Sequence, residues 1–310
     1  MQPLVSICIP TYNRADCLMR TIESIISQPE FKSGEVEIVI SDNASNDNTN
    51  EVCKQYQSLP NFYYHRNIEN VRDQNYPIVL SKAHGKLRKL NNDTFLLEKD
   101  ALRKLCNLAR KYEESRPYIF LRYEKDEIKE LDFHSFVLDV SYWSTFLANF
   151  TIWEDDCKNI ENDIDGCELL LWQVKKAYEI AYKKNSVVVY YQKLGRSITP
   201  PKKDISYGLY KIFYCNYMKL LSPYLENGAL SKKDIEYLEK DLLFSFYPDW
   251  ILRFELNNTD MQYSKEENLK EAVWNQYRGK PYWSEFERMY NRRLFKAKLK
   301  YFIKRELGKV

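Results

Sequence analysis

The chain has 310 residues, of which 47 are Lys or Arg and 44 are Asp or Glu, so its formal net charge is +3. That near-balance argues against a dedicated nucleic-acid-binding protein, which usually carries a strong basic excess. Hydrophobic residues make up 44% of the chain, which is enough to bury a core and excludes wholesale disorder.

The first part of the sequence alternates between strand and helix patterns. Residues 4–9 (LVSICI) form a β-branched apolar run stopped by Pro10, which is typical of a buried parallel strand. The patterns after it predict, in chain order, a helix over 15–27, a strand over 35–41, a helix from Thr49 or Asn50 to Tyr56, a strand over 62–66 and a helix over 73–83. This alternation is typical of a parallel sheet with crossover helices.

Further along, the pattern continues and then becomes almost wholly helical. We predict strands over 86–92, 118–124 and 186–191 and helices over 99–112 and 163–184. Pro200 and Pro201 mark a boundary, and the chain beyond residue 205 reads as helical to its end. The sequence therefore predicts an α/β domain over 1–200 and a helical region over 201–310.

Glycine, cysteine and hydropathy patterns exclude several classes of protein. No two of the eight glycines are spaced for a GxGxxG motif or a P-loop, so an unmodified dehydrogenase or P-loop ATPase is not expected. The seven cysteines form no CxxC pair, and their odd number fits reduced thiols. No apolar run approaches the roughly 20 residues that span a bilayer, and residues 1–10 read as a strand rather than a secretion signal. We therefore expect a soluble, cytoplasmic protein.

Polar clusters follow three of the predicted strands, at the edge where an open α/β sheet binds its ligand. The clusters are residues 10–14, 41–45 and 91–93. A carboxylate such as Asp42 can accept from a base imide or a ribose hydroxyl, and the ring of Tyr12 can stack on a base. Helix capping is the alternative explanation for the second cluster, but PTYNR one strand earlier favours a ligand site.

Two long runs carry a family resemblance. VSICIPTYNRADCLMRTIESIISQ (5–28) and EVEIVISDNASNDNT (35–49) closely resemble the N-terminus of glycosyltransferase family 2, the inverting enzymes of GT-A fold. RNIENVRDQN (66–75) resembles the segment that follows in that family, and SDNAS resembles the subset of abequosyl- and related O-antigen or capsule sugar transferases. The match covers residues 1–100 and resumes over 165–199. It implies a Rossmann-like α/β fold, a mostly parallel sheet flanked by helices.

The resemblance also implies a nucleotide-sugar site. Asp42 matches the carboxylate that binds the base, and Arg196 with Ser197 matches a closing loop that can cover the diphosphate. The full set of expected donor contacts is Pro10, Thr11, Tyr12, Asn13, Arg14, Asp42, Asn43, Ser45, Asn70, Arg72, Asn92 and Arg196.

The metal motif of the family departs from its usual form in this chain. The DxD of the family is expected to end the strand over 86–92, where the sequence has Asn91-Asn92-Asp93. Mg²⁺ or Mn²⁺ prefers carboxylate oxygens, so the resemblance implies Asp93 as a metal ligand, Asn91 as a neutral ligand or water holder, and weakened metal binding. Alternatively, the diphosphate is neutralised directly by a basic residue of this strand: Lys86, Arg88 or Lys89.

An inverting transfer needs a general base that takes the proton of the acceptor hydroxyl. Residues 175–199 resemble the helix, strand and closing loop that follow the acidic pair of the family. Trp153 lies beside a competing acidic pair and has a ring that can stack on a sugar. The candidate bases are, in order of preference, Asp165 and Asp163, then Asp155 or Asp156, and then Glu168, which we expect inside a helix and facing solvent.

Residues 288–310, here called the basic tail, contain nine Lys or Arg and one Glu. Its net charge is +8, so the rest of the chain carries −5. The apolar residues Phe295, Leu299, Phe302 and Ile303 fall on one helical face beside Lys296, Lys300 and Lys304. Such a helix can lie on an anionic membrane surface, and an ordinary helix packed on the protein is the alternative.

The sequence thus predicts an inverting glycosyltransferase that uses a nucleotide-diphosphate sugar with Mg²⁺ or Mn²⁺. The expected acceptor is a glycan on a lipid carrier, in bacterial surface polysaccharide synthesis at the inner face of the plasma membrane. A catalytically inactive nucleotide-sugar-binding protein of the same fold is the alternative. A sugar nucleotidyltransferase would need a glycine-rich loop after its first strand, and PTYNRAD contains no glycine.

Overall fold

The computed structural model describes residues 2–123, 126–199, 208–256 and 268–306, together with the backbone of two short strands at 203–204 and 261–262. The chain divides into two units, residues 1–200 and 201–310. The boundary prolines, Pro200 and Pro201, lie outside the described residues. That the first unit binds a nucleotide sugar stays a prediction.

Parallel strands dominate the first unit. Its strands are β1 (Val5–Thr11), β2 (Val36–Asp42), β3 (Phe62–Arg66), β4 (Leu87–Leu90), β5 (Phe95–Leu97), β6 (Tyr118–Arg122), β7 (Glu127–Leu131), β8 (Thr151–Trp153), β9 (Val187–Tyr191) and β10 (Gly195–Ser197). Its helices are α1 (Ala15–Ile26), α2 (Pro29–Lys32), α3 (Thr49–Lys54), α4 (Asn75–Ser81), α5 (Ala101–Tyr112), α6 (Phe133–Val140) and α7 (Trp172–Lys184).

The central sheet has the order β3-β2-β1-β4-β8. The first four strands run parallel, whereas β8 runs antiparallel to β4, so that Leu87 faces Trp153. Every residue of β1 and β2 is buried, as expected for strands covered on both faces. Smaller sheets of order β6-β9-β7 and β10-β5 complete the unit.

The helices bury one apolar face against this sheet. In α1, Leu18, Ile22 and Ile25 recur at helical spacing and are all 0% exposed. Because α1 and α3 connect neighbouring parallel strands, the polar loops in front of them lie together at the carboxyl edge of the sheet.

Two predicted elements differ from the structure. The strand predicted to stop at Pro10 continues to Thr11, which is possible because β4 pairs with β1 only as far as Cys8. The helix predicted over 163–184 begins only at Trp172, since the left-handed backbone at Gly166 and Leu170 interrupts it. Short 3₁₀ turns at Ile160–Asn162 and Cys167–Leu169 take its place.

The second unit is helical, with one short strand pair. Its elements are β11 (Lys203–Asp204), α8 (Tyr217–Glu226), α9 (Lys232–Asp241), α10 (Tyr247–Glu255), β12 (Met261–Gln262), α11 (Leu269–Tyr277) and α12 (Trp283–Glu306), with π-helical turns at Lys211–Asn216 and Leu242–Phe246. Phe286 and Tyr290 anchor α12 in the core of this unit. Among the described residues we find no helix with the length and apolar character of a membrane span.

Candidate active site

Asp42 ends β2 with a fully buried carboxylate. Its Oδ1 accepts the backbone N–H of Ser45 at 2.8 Å, and its Oδ2 accepts the hydroxyl of Tyr64 at 2.8 Å and the guanidinium of Arg66 at 2.7 Å. Burial, followed by the bond to Asp42, raises the pKa of Tyr64. A carboxylate has about four acceptor positions, and three donors among the described residues occupy this one, so one position on Oδ1 has no described donor although the residue is 0% exposed.

The loops after β1 and β2 are bonded to each other beside this carboxylate. The backbone N–H of Asn13 donates to Ser45 Oγ at 2.8 Å, and the backbone N–H of Asn46 donates to Asn13 Oδ1 at 2.7 Å. Asn13 and Ala44 both have left-handed φ angles, which the reciprocal bonds hold in place. Tyr12, at 40% exposure, leaves its ring accessible next to these loops.

Asn43 and Asn70 connect these loops to the chain after β3. Asn43 Nδ2 donates to Asn70 Oδ1 at 2.8 Å, and Asn43 Oδ1 accepts the backbone N–H of Val71 at 2.9 Å. Asn70 Oδ1 also accepts the backbone N–H of Arg72, whose side chain is exposed. Both asparagines therefore fix the loops, while Arg72 is available to a ligand.

Asp93 lies where the strand ends of β1 and β4 meet. It is 1% exposed, and its Oδ2 accepts the hydroxyl of Thr11 at 2.9 Å while its Oδ1 accepts Arg14 Nη1 at 2.9 Å. The charge of Asp93 raises the pKa of Arg14. The hydroxyl of Thr21 bonds the backbone carbonyl of Asp93 at 2.8 Å, which holds the residue in this position.

Asn91 and Lys89 form a buried pair next to Asp93. Lys89 Nζ donates to Asn91 Oδ1 at 2.9 Å and to the carbonyl of Leu90 at 3.0 Å, and Asn91 Nδ2 donates to the carbonyls of Asn92 and Phe95. Burial lowers the pKa of Lys89 to about 7. Asn92, by contrast, has a buried Oδ1 for which no described residue provides a hydrogen-bond donor.

This donor set does not fit a divalent cation. The single carboxylate of the NxD motif binds Arg14, and the amide oxygen of Asn91 accepts Lys89 Nζ, so both predicted ligands are already bonded to basic side chains. Among residues 2–123, 126–199, 208–256 and 268–299, no three His, Cys, Asp or Glu side chains are grouped to hold a metal. These contacts do not support the metal roles of Asp93 and Asn91, which stay predictions.

The other basic residues near β4 do not face this edge. Lys86 pairs with Glu113, and Arg88 donates to the carbonyl of Leu80 at 2.7 Å. Lys86 precedes β4 and therefore lies at the amino edge of the sheet. The alternative that Lys86 or Arg88 neutralises a diphosphate is thus not supported by their contacts.

Asp155 and Asp156 lie at the amino edge of the central sheet, whereas Asp93 lies at its carboxyl edge. Because β8 is antiparallel to β4, the residues after Trp153 meet the amino end of β4, where the Glu154 N–H bonds the Lys86 carbonyl at 2.8 Å. Asp155 pairs with Arg116, and Asp156 pairs with Lys184 at 2.7 Å. Their position and ion pairs do not support either residue as the base, and that role stays a prediction.

Trp153 was also wrongly predicted to stack on a sugar. Its side chain is 1% exposed, and its indole N–H donates to the carbonyl of Pro117 at 2.8 Å.

Asp163 and Asp165 precede α7 and lie near the chain after β3. The Cys167–Leu169 turn packs on a short 3₁₀ turn at Arg72–Gln74, which brings this acidic segment beside Arg72. Asp163 pairs with Lys176, whereas Asp165 is 78% exposed at its side chain and pairs with Lys175 at 2.9 Å. Glu168 is exposed as predicted, but in the 3₁₀ turn rather than a helix.

Arg196 lies on β10, which pairs antiparallel with β5 directly after the NxD segment. Arg196 faces Leu96 across this pair, and the backbone N–H of Ile198 bonds the carbonyl of Thr94 at 2.8 Å. The exposed side chain of Arg196 is therefore close in the fold to Asp93.

One residue of this edge was missed in the sequence. Asp73 lies in the Arg72–Gln74 turn, is 9% exposed and has a buried Oδ2 that finds no hydrogen-bond partner in the part of the chain that the structure describes. The only sequence signal was an acidic residue inside RNIENVRDQN, a segment that already resembled part of a donor site.

Comparison with known proteins identifies the family. The model of glycosyl transferase family 2 matches residues 6–171. The chain belongs to glycosyltransferase family 2. The family predicted from the PTYNR and SDNAS runs is thereby confirmed.

The relatives of this family 2 protein are sugar transferases by name. Abequosyltransferase RfbV of Salmonella typhimurium is 39% identical over 102 residues, which are 32% of this chain and 30% of that protein. A GalNAc(5)-diNAcBac-PP-undecaprenol beta-1,3-glucosyltransferase of Campylobacter jejuni is 25% identical over 263 residues, covering 79% of this chain and 81% of that protein. The poly(ribitol-phosphate) beta-N-acetylglucosaminyltransferase TarP of Staphylococcus aureus is 36% identical over 110 residues, 34% of this chain and 33% of that protein. The matched stretch is thus about a third of the length of RfbV and of TarP.

Solved structures share the fold. Residues 1–349 of S. aureus TarS in complex with UDP-GlcNAc match with a TM-score of 0.58 at 16% identity, over 97% of this chain and 91% of that one. The mannosyltransferase PcManGT from Pyrobaculum calidifontis, in complex with GDP-Man and Mn²⁺, matches with a TM-score of 0.53 at 14% identity, over 97% and 87%. The predicted α/β GT-A fold with its mostly parallel sheet is confirmed.

Proposed function

We propose that this family 2 protein is an inverting glycosyltransferase that moves a sugar from a nucleotide-diphosphate sugar to a glycan in bacterial surface polysaccharide synthesis. The observation that carries the proposal is the carboxylate of Asp42, which retains one acceptor position that no donor among the described residues occupies. Asp42 pairs with Thr11, which directly precedes the accessible ring of Tyr12. A base that stacks on Tyr12 can donate an imide or ribose hydroxyl hydrogen to that position.

The diphosphate would be held by arginines at the carboxyl edge of the sheet. Arg14 retains 32% exposure at its side chain while one nitrogen binds Asp93, and Arg72 and Arg196 are exposed nearby. Arginine forks bind phosphate oxygens in bidentate fashion, so these side chains can neutralise the leaving group. Because the NxD donor set does not fit a divalent cation, no step depends on Mg²⁺ or Mn²⁺.

The base would be Asp165, with Asp163 as the second choice. In an inverting transfer the acceptor hydroxyl attacks the anomeric carbon opposite the leaving diphosphate, and the base takes the hydroxyl proton as that C–O bond forms. The bond to the diphosphate breaks, and the nucleotide leaves with its electron pair. Asp165 is the more accessible of the two, since a single exposed ion pair with Lys175 restrains it.

The acceptor would be a glycan on a lipid carrier, reached at the inner face of the plasma membrane. The name of the Campylobacter relative includes an undecaprenol-linked glycan. In this chain Phe295 and Leu299 of α12 are 69% and 49% exposed, and the basic tail carries a charge of +8. Phe302 and Ile303, predicted for the same face, have side chains outside the described residues. An apolar face beside cationic residues fits an anionic lipid surface.

Flotation with vesicles tests the membrane proposal. The full chain should float with phosphatidylglycerol-containing vesicles and remain at the bottom with phosphatidylcholine alone. Phe295→Ser with Leu299→Ser should reduce flotation, whereas Tyr237→Ser, an exposed aromatic residue elsewhere in the second unit, should not. Equal flotation of all three proteins would contradict the role of the tail.

A donor screen tests the enzymatic proposal. UDP-, GDP-, CDP- and dTDP-sugars are compared by thermal shift and by hydrolysis, each with EDTA and with Mn²⁺. We expect one nucleotide to bind, with similar affinity in EDTA and Mn²⁺. No binding by any of them would refute the proposal, and a strict Mn²⁺ requirement would refute the arginine-held diphosphate.

A pair of matched variants tests the base. Asp165→Asn should abolish transfer and leave donor binding intact, whereas Asp155→Asn at the opposite edge should retain both. If donor binds but neither wild type nor variant transfers or hydrolyses it, the alternative of an inactive nucleotide-sugar-binding protein holds. The engagement of the single NxD carboxylate by Arg14 is the observation that keeps that alternative open.

A further inference from the structure

Asp73 carries a polar atom that the fold leaves without a partner. The residue is 9% exposed, and its buried Oδ2 accepts no hydrogen bond from any residue that the structure describes. A buried carboxyl oxygen without a hydrogen-bond donor destabilises the fold, because it has lost its hydration and no hydrogen bond replaces it. Most buried polar groups in native proteins are satisfied, so an exception at the edge of a ligand site points to a donor supplied by the ligand.

The turn that carries Asp73 is held in a strained conformation. Arg72 has a φ of 52°, in the left-handed region that arginine rarely adopts. Its N–H donates to Asn70 Oδ1 at 2.9 Å, and its carbonyl accepts Asn43 Nδ2 at 3.4 Å. The strain is therefore maintained from the loop that also carries Asp42, and it fixes the position of Asp73 relative to the proposed nucleoside site.

On its other side the turn meets the segment of the proposed base. The Arg72–Gln74 turn packs against Cys167–Leu169, which follows Asp165. After burial, the charge of Asp73 is the next cause that raises the pKa of the Cys167 thiol, which shows how near the carboxyl lies to this segment. Asp73 thus lies between the nucleoside loop and the acidic segment, where the transferred sugar or its acceptor would pass.

We propose that Asp73 binds a hydroxyl group of a sugar in the active site and thereby selects which sugar is transferred or accepted. The inference rests on the proposed function, since it needs a nucleotide sugar and an acceptor at this edge. The Asp73 carboxyl can accept a hydrogen bond from a sugar O–H, and that hydroxyl would supply the partner that Oδ2 lacks among the described residues. A site built around such a bond rejects sugars without the hydroxyl, because the buried oxygen then stays unpaired.

The protonation of Asp73 suits this role. Burial raises its pKa from 3.8 to about 7, although the charge of Arg72 acts in the opposite direction. Near neutral pH the carboxyl can therefore accept a hydrogen bond from a hydroxyl or, when protonated, donate one.

Binding measurements with paired ligands test the proposal. The probes are UDP, UDP-glucose, UDP-galactose and UDP-N-acetylglucosamine, with GDP and GDP-mannose in parallel, measured by calorimetry on wild type, Asp73→Ala and Asp73→Asn. If the hydroxyl belongs to the donor, the wild type binds one sugar nucleotide more tightly than the corresponding free nucleotide. Asp73→Ala then loses at least tenfold in affinity for that sugar nucleotide. Its affinity for the free nucleotide stays unchanged.

An acceptor assay distinguishes the second source of the hydroxyl. If it belongs to the acceptor, donor affinity and donor hydrolysis stay unchanged in Asp73→Ala, while the KM for the glycan acceptor rises at least tenfold. Asp155→Asn, at the opposite edge of the sheet, is the control and should match the wild type in every measurement. Asp73→Asn retains the shape of the side chain and provides a folded variant if the alanine variant aggregates.

The outcomes separate this inference from the proposed function. If the wild type binds its donor and both Asp73 variants keep sugar preference and acceptor KM within twofold, Asp73 is structural and the inference is overturned. If the wild type binds no nucleotide sugar at all, the proposed function fails and the inference fails with it.

Discussion

Lys89 places an ammonium group inside the central sheet, and its replacement by methionine tests the electrostatics of the strand ends. The side chain is 0% exposed on β4, and burial lowers its pKa from 10.5 to about 7. Its hydrogen-bond partners are two neutral oxygens, the carbonyl of Leu90 and Oδ1 of Asn91. Methionine has a similar length and no charge, so Lys89→Met removes the ammonium group and fills the same space.

The structure gives a magnitude that depends on pH. The pKa of Lys89 is about 7 in the folded protein and 10.5 in the unfolded chain, so the folded protein holds the proton only below about pH 7. At about 1.36 kcal/mol per pKa unit, burial of Lys89 destabilises the fold by about 5 kcal/mol below pH 7, where the lysine is buried charged, and by about 2 kcal/mol at pH 9, where it must lose its proton on folding. The two lost hydrogen bonds offset about 2 kcal/mol of the gain. Lys89→Met should therefore be more stable than wild type by about 2–3 kcal/mol at pH 6 and equal to it near pH 9.

Urea unfolding at pH 6, 7, 8 and 9, followed by tryptophan fluorescence, measures this difference. Lys86→Met is the control for loss of a lysine next to the same strand, because Lys86 is partly exposed and pairs with Glu113. The reasoning is refuted if the difference between Lys89→Met and wild type is the same at all four pH values, or if the variant is the less stable protein at pH 6.

Three further predictions concern the nucleoside site and β10. Asp42→Asn should weaken nucleotide binding at least tenfold in calorimetry, because Tyr64 and Arg66 lose their carboxylate partner. An unchanged affinity would disprove the role of Asp42. Tyr12→Ala should weaken the same binding about tenfold and Tyr12→Phe hardly at all, because stacking on a base is worth about 1–3 kcal/mol; equal losses would argue against stacking. Gly195→Ala should lower the thermal midpoint by several degrees, since its Cβ would lie 2.3 Å from the Leu96 carbonyl oxygen, whereas Gly279→Ala, with open space around it, should not.

Much of the fold and of the strand-end site could be predicted because two rules are local. Hydrophobic periodicity identified β1, β2 and the helices between them, and parallel strands bring their carboxyl ends to one edge. Asp42 and Asp93 followed from these rules. The direction of a strand is not a local property of its sequence. The strand β8 has three residues, and nothing in Thr151–Trp153 indicates that β8 runs antiparallel to β4. The direction of that strand places Asp155 and Asp156 away from Asp93, which the sequence did not indicate.

Burial at single positions was equally hard to predict from sequence. A lysine in a strand usually reaches solvent, which made Lys89 a candidate for a phosphate contact. The structure instead places its strand, β4, between β1 and β8, and Lys89 is 0% exposed there. Asp73 resembled any other acidic residue of a turn, because the fold alone determines that its Oδ2 is buried. Sequence reasoning therefore identified the residue types of the site more reliably than their protonation or their partners.

The reciprocal bonds between the Asn13 and Asn46 loops have a consequence for how donor preference can change. Each loop holds the other, so the proposed nucleoside site is built from loops that are already fixed, and we expect little conformational entropy to be lost on binding. A substitution in either loop should therefore disturb both. The segment around Asp165 is not part of these bonds, and the Arg72–Gln74 turn joins them through the Arg72 carbonyl, which accepts Asn43 Nδ2 at 3.4 Å. Changes of the proposed sugar preference are therefore expected in the Asp165 segment before they are expected in the two loops.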